Sequence, residues 1–320
     1  GILSGLGAAF GQALSYLATR NYVQRRATRE GASRQLTVLA HVWMGLFAII
    51  LLPFCWPGAG IWNGALWAQL LPAHVLNVVF YTSGMLFMMT ALKHAEASRV
   101  GPLMTSKLIM ASILVMCFGQ PVGDTTRFLT PMRWVAVAMC LAAGLAISLS
   151  GGRMKVKALL AIGAAASSYG VSDYGINLTI KSFLTVPGVT AFQASLLTQV
   201  LIYLTFLLIG LLLLGWCGSR DAVDWRDAMP FAVTWFGAMV GLFTAFALVG
   251  ILLGTILQCT RGFITILLAA VVMKLGHHHI EPHASRGVVV RRLAAGLMMF
   301  VGIAMYVLKD WETVQGIFKR

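Results

Sequence analysis

GAAFGQALSY, residues 7–16, has a counterpart in GAAASSYGVS, residues 163–172, an offset of 156 positions. The same offset carries Ala91 and Leu92 onto Ala247 and Leu248. RWVAVAMCLAAGLAISL, residues 133–149, aligns with RRLAAGLMMFVGIAMYV, residues 291–307, at an offset of 158. Arg133 then meets Arg291, and Gly144 meets Gly302. Ala and Gly are common in membrane helices, so each match alone says little. Three matches in order at nearly one offset predict a duplicated chain.

Composition says which solvent the duplicated unit faces. The 320 residues are 59% hydrophobic and only 11% charged, with a mean hydropathy of +0.83. A soluble domain carries about 25% charged residues. This much apolar surface cannot hide in one water-soluble core, so the sequence predicts an integral membrane protein. The formal net charge of +14 is then read as basic cytoplasmic loops facing anionic lipid, not as a nucleic-acid surface. The five cysteines form no CxxC pair and read as small buried thiols. The first segment has no basic stretch before it and no signal-like apolar run, so it reads as a retained span.

Helices of about 20 apolar residues cross a bilayer. Strands of an outer-membrane barrel would alternate polar and apolar residues instead. Ten helical spans are expected, near 2–23, 36–57, 67–92, 98–118, 131–150, 157–180, 188–216, 228–249, 252–275 and 290–308. The fold class is therefore all-α integral membrane, with two five-helix units, residues 1–152 and 153–320, the second ending in a short polar tail. Five spans per unit is an odd number, so the second copy enters the membrane upside down, as an inverted repeat. The Lys and Arg count is 15 on the side holding the loops after spans one, three, five, seven and nine, against 6 on the other. The excess marks the cytoplasmic side and puts both termini outside.

The five-plus-five layout, the small-residue first and sixth spans, the Ala-Leu ends of spans three and eight and the Gly-rich LAAGLMMFVGIAMYVL resemble the drug/metabolite transporter superfamily in its ten-span EamA-type form. The resemblance covers nearly the whole chain through diffuse signals. It implies a basket of helices in which spans 1, 3, 4, 6, 8 and 9 line a central cavity while spans 5 and 10 pack at the periphery. Family members often keep both termini in the cytoplasm, and here the charge count departs from that habit. The resemblance also implies a multi-pass protein of a bacterial cytoplasmic membrane.

Charges inside the spans are the next signal. A Lys or Arg at the centre of a membrane helix costs about 2.5–3.5 kcal/mol on insertion scales. Lys107, in GPLMTSKLIMASIL, lies about ten residues into span four, and Arg261, in GTILQCTRGFITILL, about ten residues into span nine. These spans are counterparts in inverted halves, so equal depths bring both cations near the midplane. Asp173 on span six is the one acidic residue well inside a span. One carboxylate against two cations leaves about one positive charge, which a transported anion would balance. Arg suits bidentate oxyanion binding and Lys acts as a point charge. The alternative is that Asp173 pairs with one cation while water or backbone carbonyls satisfy the other.

Other polar residues repeat at helical spacing. Gln12, Tyr16 and Arg20 share a face of span one; Tyr169, Asp173 and Asn177 share one of span six; Asn77 and Tyr81 do so on span three. Gln258 accompanies Arg261, and Trp235 on span eight offers an aromatic wall. Interhelical hydrogen bonding is the plainer reading of each alone. The expected substrate-binding set is Lys107, Arg261, Asp173, Tyr16, Gln12, Asn77, Tyr81, Tyr169, Gln258 and Trp235.

GHHHIEPH, residues 276–283, crowds four His and one Glu into a loop. It reads as a polar interfacial loop before a metal site, because adjacent histidines in a loop rarely converge on one ion. Catalytic residues, a metal and a cofactor are not expected. Ala138, Ala142 and Ala146 on span five, with Ala295 and Gly302 on span ten, allow close helix approach, within the fold or across a homodimer. The expected function is secondary transport of a small anionic or zwitterionic metabolite by alternating access, with membrane lipid as the other partner and nucleic acid excluded. Proton uptake by Asp173 would couple it to the proton gradient; exchange and uncoupled export fit equally well. A lipid flippase of the same fold is the alternative, and an integral membrane enzyme a more distant one.

Overall fold

A computed structural model describes residues 1–26, 31–61, 63–122, 131–149, 154–217, 221–276 and 286–308. Among them every regular element is helical and no strand occurs. The helices are α1 (Ile2–Arg25), α2 (Ala32–Cys55), α3 (Gly64–His94), α4 (Ala97–Leu103), α5 (Lys107–Phe118), α6 (Pro131–Leu149), α7 (Val156–Phe183), α8 (Ala191–Cys217), α9 (Ala222–Lys274) and α10 (Arg286–Leu308). Among the described residues, five stretches are long and apolar enough to cross a bilayer: Ala32–Cys55, Gly64–His94, Ala97–Phe118, Ala191–Gly215 and Ala222–Lys274. The expected loop 276–283 falls, beyond Gly276, outside the described residues, as does the tail 309–320.

Local chemistry sets the boundaries. The Asn63 side chain accepts from Ala65 N at 2.9 Å to open α3, and Asp221 does the same from Val223 N at 2.9 Å to open α9. Each satisfies a backbone donor that the first helical turn leaves free.

Two departures from straight helices matter for the interior. The span expected at 98–118 is not one rod. The seven-residue α4 contains Pro102, a 3-10 turn follows over Met104–Ser106, and α5 starts at Lys107 itself. Proline removes a backbone donor and crowds the preceding turn, and the chain passes through the 3-10 turn before the α-helix resumes. The broken stretch is accommodated because its neighbours are small. A Cβ on Gly262 would stand 2.8 Å from Pro102 Cα, and one on Gly144 would strike Thr105 Oγ1. The second departure is α9, whose Gly250 has φ 77 and ψ 172. That conformation suits glycine, and it splits α9 into arms 222–249 and 251–274. Gln120 and the Val122 carbonyl press against the same Gly250.

The most extensive helix pairings are α1 with α9, α3 with α7, α2 with α8 and α6 with α10. Small residues make the contacts close. A Cβ at Gly241 would sit 2.7 Å from the Ser4 carbonyl, and one at Gly175 would sit 3.0 Å from the Ala73 carbonyl. Between membrane helices, packing and hydrogen bonds supply the attraction, because lipid tails are as apolar as the side chains. Gly302 on α10 packs against the Ala136 carbonyl of α6, whereas Ala138, Ala142 and Ala146 are exposed.

Burial is inverted relative to a water-soluble bundle. Phe54, Leu160 and Leu212 are 78%, 68% and 83% exposed, while Gln12, Asn77, Lys107, Asp173 and Arg261 are buried. Apolar surface outside and polar groups inside is the arrangement that a hydrocarbon solvent selects. Cys55, Cys140 and Cys259 are buried free thiols and Cys117 is exposed.

Candidate functional site

Four buried polar or charged residues, Gln12, Lys107, Asp173 and Arg261, converge on one cavity. Its lining comes from α1 (Gln12, Tyr16), α3 (Tyr81), the start of α5 (Lys107), α7 (Tyr169, Asp173, Ile176) and both arms of α9 (Trp235, Met239, Leu242, Arg261). The four-residue spacings explain much of this. Gln12 and Tyr16 share a face of α1, and Tyr169 and Asp173 share a face of α7, one turn apart. The Pro102 turn and the Gly250 break bring Lys107 and Arg261 to the same hollow from helices far apart in sequence.

Lys107 Nζ donates to Asp173 Oδ2 at 2.6 Å. Both side chains are about 95% buried. Of the two arrangements open at the sequence level, Asp173 thus takes up Lys107. Arg261 is held differently: its Nη1 donates to Gln12 Oε1 at 2.5 Å, a side-chain amide instead of a backbone carbonyl. The guanidinium carbon lies 5.4 Å from the Tyr16 ring centroid, within cation–π range. Among the described residues Arg261 Nε and Nη2 have no hydrogen-bond partner, and neither has the Tyr16 hydroxyl.

Trp235 is the hub of an aromatic wall. Its ring stands 6.4 Å from Tyr16, 6.4 Å from Tyr81 and 6.3 Å from Tyr169. Tyr81 and Tyr169 meet edge-on at 6.0 Å. Such offset and edge contacts are the preferred aromatic geometries. Four amphipathic rings therefore border the charged groups. The free volume is only about 20 Å³, room for about one water. A central cavity is the expectation from sequence; the site is instead nearly closed by its own side chains.

Eight of the ten expected residues line this cavity: Lys107, Arg261, Asp173, Tyr16, Gln12, Tyr81, Tyr169 and Trp235. Asn77 and Gln258 do not. Asn77 Nδ2 donates to the Ser172 carbonyl at 3.2 Å and to Ser172 Oγ at 2.8 Å, tying α3 to α7. Gln258 is fully buried, and its amide finds no partner among the described residues. Arg20, one turn beyond Tyr16, donates to the Leu92 and Ala95 carbonyls at 3.3 and 2.6 Å and so closes the end of α3. Ile176, Met239 and Leu242 are lining residues that sequence reasoning missed. The signal for two of them was present: Met239 and Leu242 lie four and seven residues beyond Trp235, on its helix face.

The lining carries two cations and one carboxylate. With Asp173 given to Lys107, the remaining positive charge is on Arg261, which presents part of its planar fork to a closed aromatic chamber. A fork of that shape matches a carboxylate or phosphate. Among the described residues no group of three or more His, Cys, Asp or Glu is placed to hold a metal.

No family model matches the chain, and no curated protein does. Among solved structures, a crystal structure described only as that of a protein superposes with a TM-score of 0.60 over 96% of this chain and 98% of its own, at 15% identity. At that identity the likeness shows a shared fold alone.

Proposed function

We propose that the chain is a secondary transporter that carries a small anionic or zwitterionic metabolite across the membrane by alternating access. One observation carries the reading: Arg261 is buried, and among the described residues its Nε and Nη2 have no partner and the one carboxylate in the cavity is taken by Lys107. A buried cation without an anion is costly. A substrate carboxylate or phosphate on Arg261 would complete the site.

The proposal includes ten spans built as two inverted five-helix repeats, residues 1–152 and 153–320, of the drug/metabolite transporter type. The helix pairings support it. Exchanging α1 with α7 and α3 with the first arm of α9 turns the α1–α9 pairing into the α7–α3 pairing. The same exchange leaves α2–α8 and α6–α10 unchanged. Lys107 and Arg261 then occupy corresponding segments, 97–118 and 251–274. Rocking of the two halves about these residues would open the closed chamber to one side and then the other.

The test is thermal stability of the purified chain against a panel of amino acids, sugar phosphates and organic acids, followed by uptake into proteoliposomes of the compounds that stabilise it. Anionic or zwitterionic compounds should raise the melting temperature, and Arg261→Gln should sharply reduce both the shift and uptake. Stabilisation by neutral compounds only, or normal uptake by both Lys107→Ala and Arg261→Ala, overturns the proposal.

A further inference from the structure

Two cavities of opposite chemistry adjoin each other outside the central site, and they share Arg34. The first, about 460 Å³, opens among the end of α1, the start of α2, the end of α3 and the start of α7. Its described lining includes Arg26, Arg34, Lys93, His94 and Lys157 and no acidic residue. The second, about 220 Å³, is a groove between α2, α3 and α8, walled by Val38, Met85, Leu86, Phe206 and Ile209 among others. It is almost wholly apolar.

One helix face joins the two. Thr82 and Leu86 of α3 line the groove, and Thr90 and Lys93, further along the same face, line the basic cavity. On α2 the groove runs from Arg34 down to His41, about 10 Å along the helix axis. That is about a third of a bilayer's hydrocarbon thickness. The polar end lies where several helices terminate together, as at a membrane surface, and the apolar end points toward the membrane interior.

Two of the cations at the basic end have no carboxylate among the described residues. Arg26 is engaged by Asp224 and Asp227, at 2.9 Å each. Lys93 and Lys157 are exposed and have no ion-pair partner among the described residues. Basic pockets between membrane helices on the cytoplasmic side suit anionic lipid headgroups.

The geometry points to a binding site for one anionic phospholipid, its phosphate held by Lys93 and Lys157 and one acyl chain laid in the groove between α2, α3 and α8. Charge complementarity selects the headgroup and the groove selects a lipid over a free anion. The site shares no lining residue with the Arg261 chamber, although His41, Phe206 and Met85 on the groove's inner wall touch the chamber's Tyr81 and Tyr169; it does not depend on the transport proposal.

The test uses the full chain in detergent, measuring retention of phosphatidylglycerol against phosphatidylcholine by native mass spectrometry, with inorganic phosphate as the soluble competitor. Phosphatidylglycerol should be retained at least tenfold more than phosphatidylcholine. Lys93→Gln and Lys157→Gln, both at exposed positions, should each reduce that preference about fivefold. Thr82→Phe, which fills the groove, should weaken retention of both lipids while melting like the parent protein. Equal retention of the two lipids, unchanged preference in both lysine variants, or complete displacement by millimolar phosphate each overturns the inference, the last because it would mark a soluble phosphate as the occupant.

Discussion

Lys107 Nζ and Asp173 Oδ2 lie 2.6 Å apart, with both side chains almost fully buried, where the restart of α5 meets the middle of α7. The contact neutralises one of two buried cations and leaves Arg261 as the centre's excess charge. It also ties the segment broken at Pro102 to the longest polar face in the interior. The expected behaviour of variants follows from this asymmetry.

Asp173→Asn leaves a buried ammonium without its carboxylate. Removing one partner of a buried pair costs about 3–5 kcal/mol, so the variant should melt well below the parent in detergent. The double variant Lys107→Met with Asp173→Leu removes both charges and should recover most of that loss. Equal melting of parent and Asp173→Asn would contradict a buried pair.

Arg261→Gln should behave oppositely. The Nη1 bond to Gln12 is lost, but so is a buried charge with no carboxylate among the described residues, and removing that charge offsets the bond, so the melting temperature should not fall. Anion binding should weaken about 10- to 100-fold, the scale of one or two charge-assisted hydrogen bonds at about 1.5–3 kcal/mol in all. Arg261→Lys keeps the charge but loses the fork, and should fall between. Ligand-induced melting shifts measure all three.

Asn77→Ala separates structural polar contacts from the site. Its bonds to Ser172 join α3 and α7 outside the cavity. Hydrogen bonds between membrane helices are worth about 0.6 kcal/mol on average, so stability should drop slightly and anion binding should not change. Loss of binding would place Asn77 in the site after all.

Gly250→Ala tests the break in α9. Positive φ with ψ 172 is a backbone region essentially confined to glycine and costs a side chain about 1–3 kcal/mol, and the new methyl would also strike Gln120. The variant should be destabilised by more than that figure in thermal unfolding. Gly237, with open space around its Cβ position, is the control, and Gly237→Ala should be neutral or slightly stabilising.

Particular residues show how far the sequence could be read. Gln12 with Tyr16, and Tyr169 with Asp173, were legible as cavity residues because a four-residue interval puts two side chains on one helix face. The out-of-place charges of Lys107 and Arg261 were legible because hydrocarbon penalises them. Asn77 and Gln258 carried the same periodic signal and yet lie off the cavity. A polar residue on a helix facing inward can meet a neighbouring helix instead of a hollow, and spacing alone does not tell these apart. The breaks were only half visible. Pro102 and Gly250 stand in the sequence as ordinary punctuation, but the 3-10 turn and the redirected arm depend on what packs against them.

By itself the sequence determined the solvent and the local geometry: an all-helical chain, apolar enough for a bilayer, with two cations and one carboxylate that hydrocarbon would not tolerate unaccompanied. These are properties of composition and of short intervals, which the chain carries wherever it folds. The tertiary structure alone decided that Asp173 answers Lys107 and not Arg261, that Gln12 takes one nitrogen of the guanidinium, and that the chamber closes to about 20 Å³. Those outcomes depend on the rotation and depth of α1, α5, α7 and α9 relative to one another. Close packing of small residues between distant segments fixes these quantities, and no local interval encodes them.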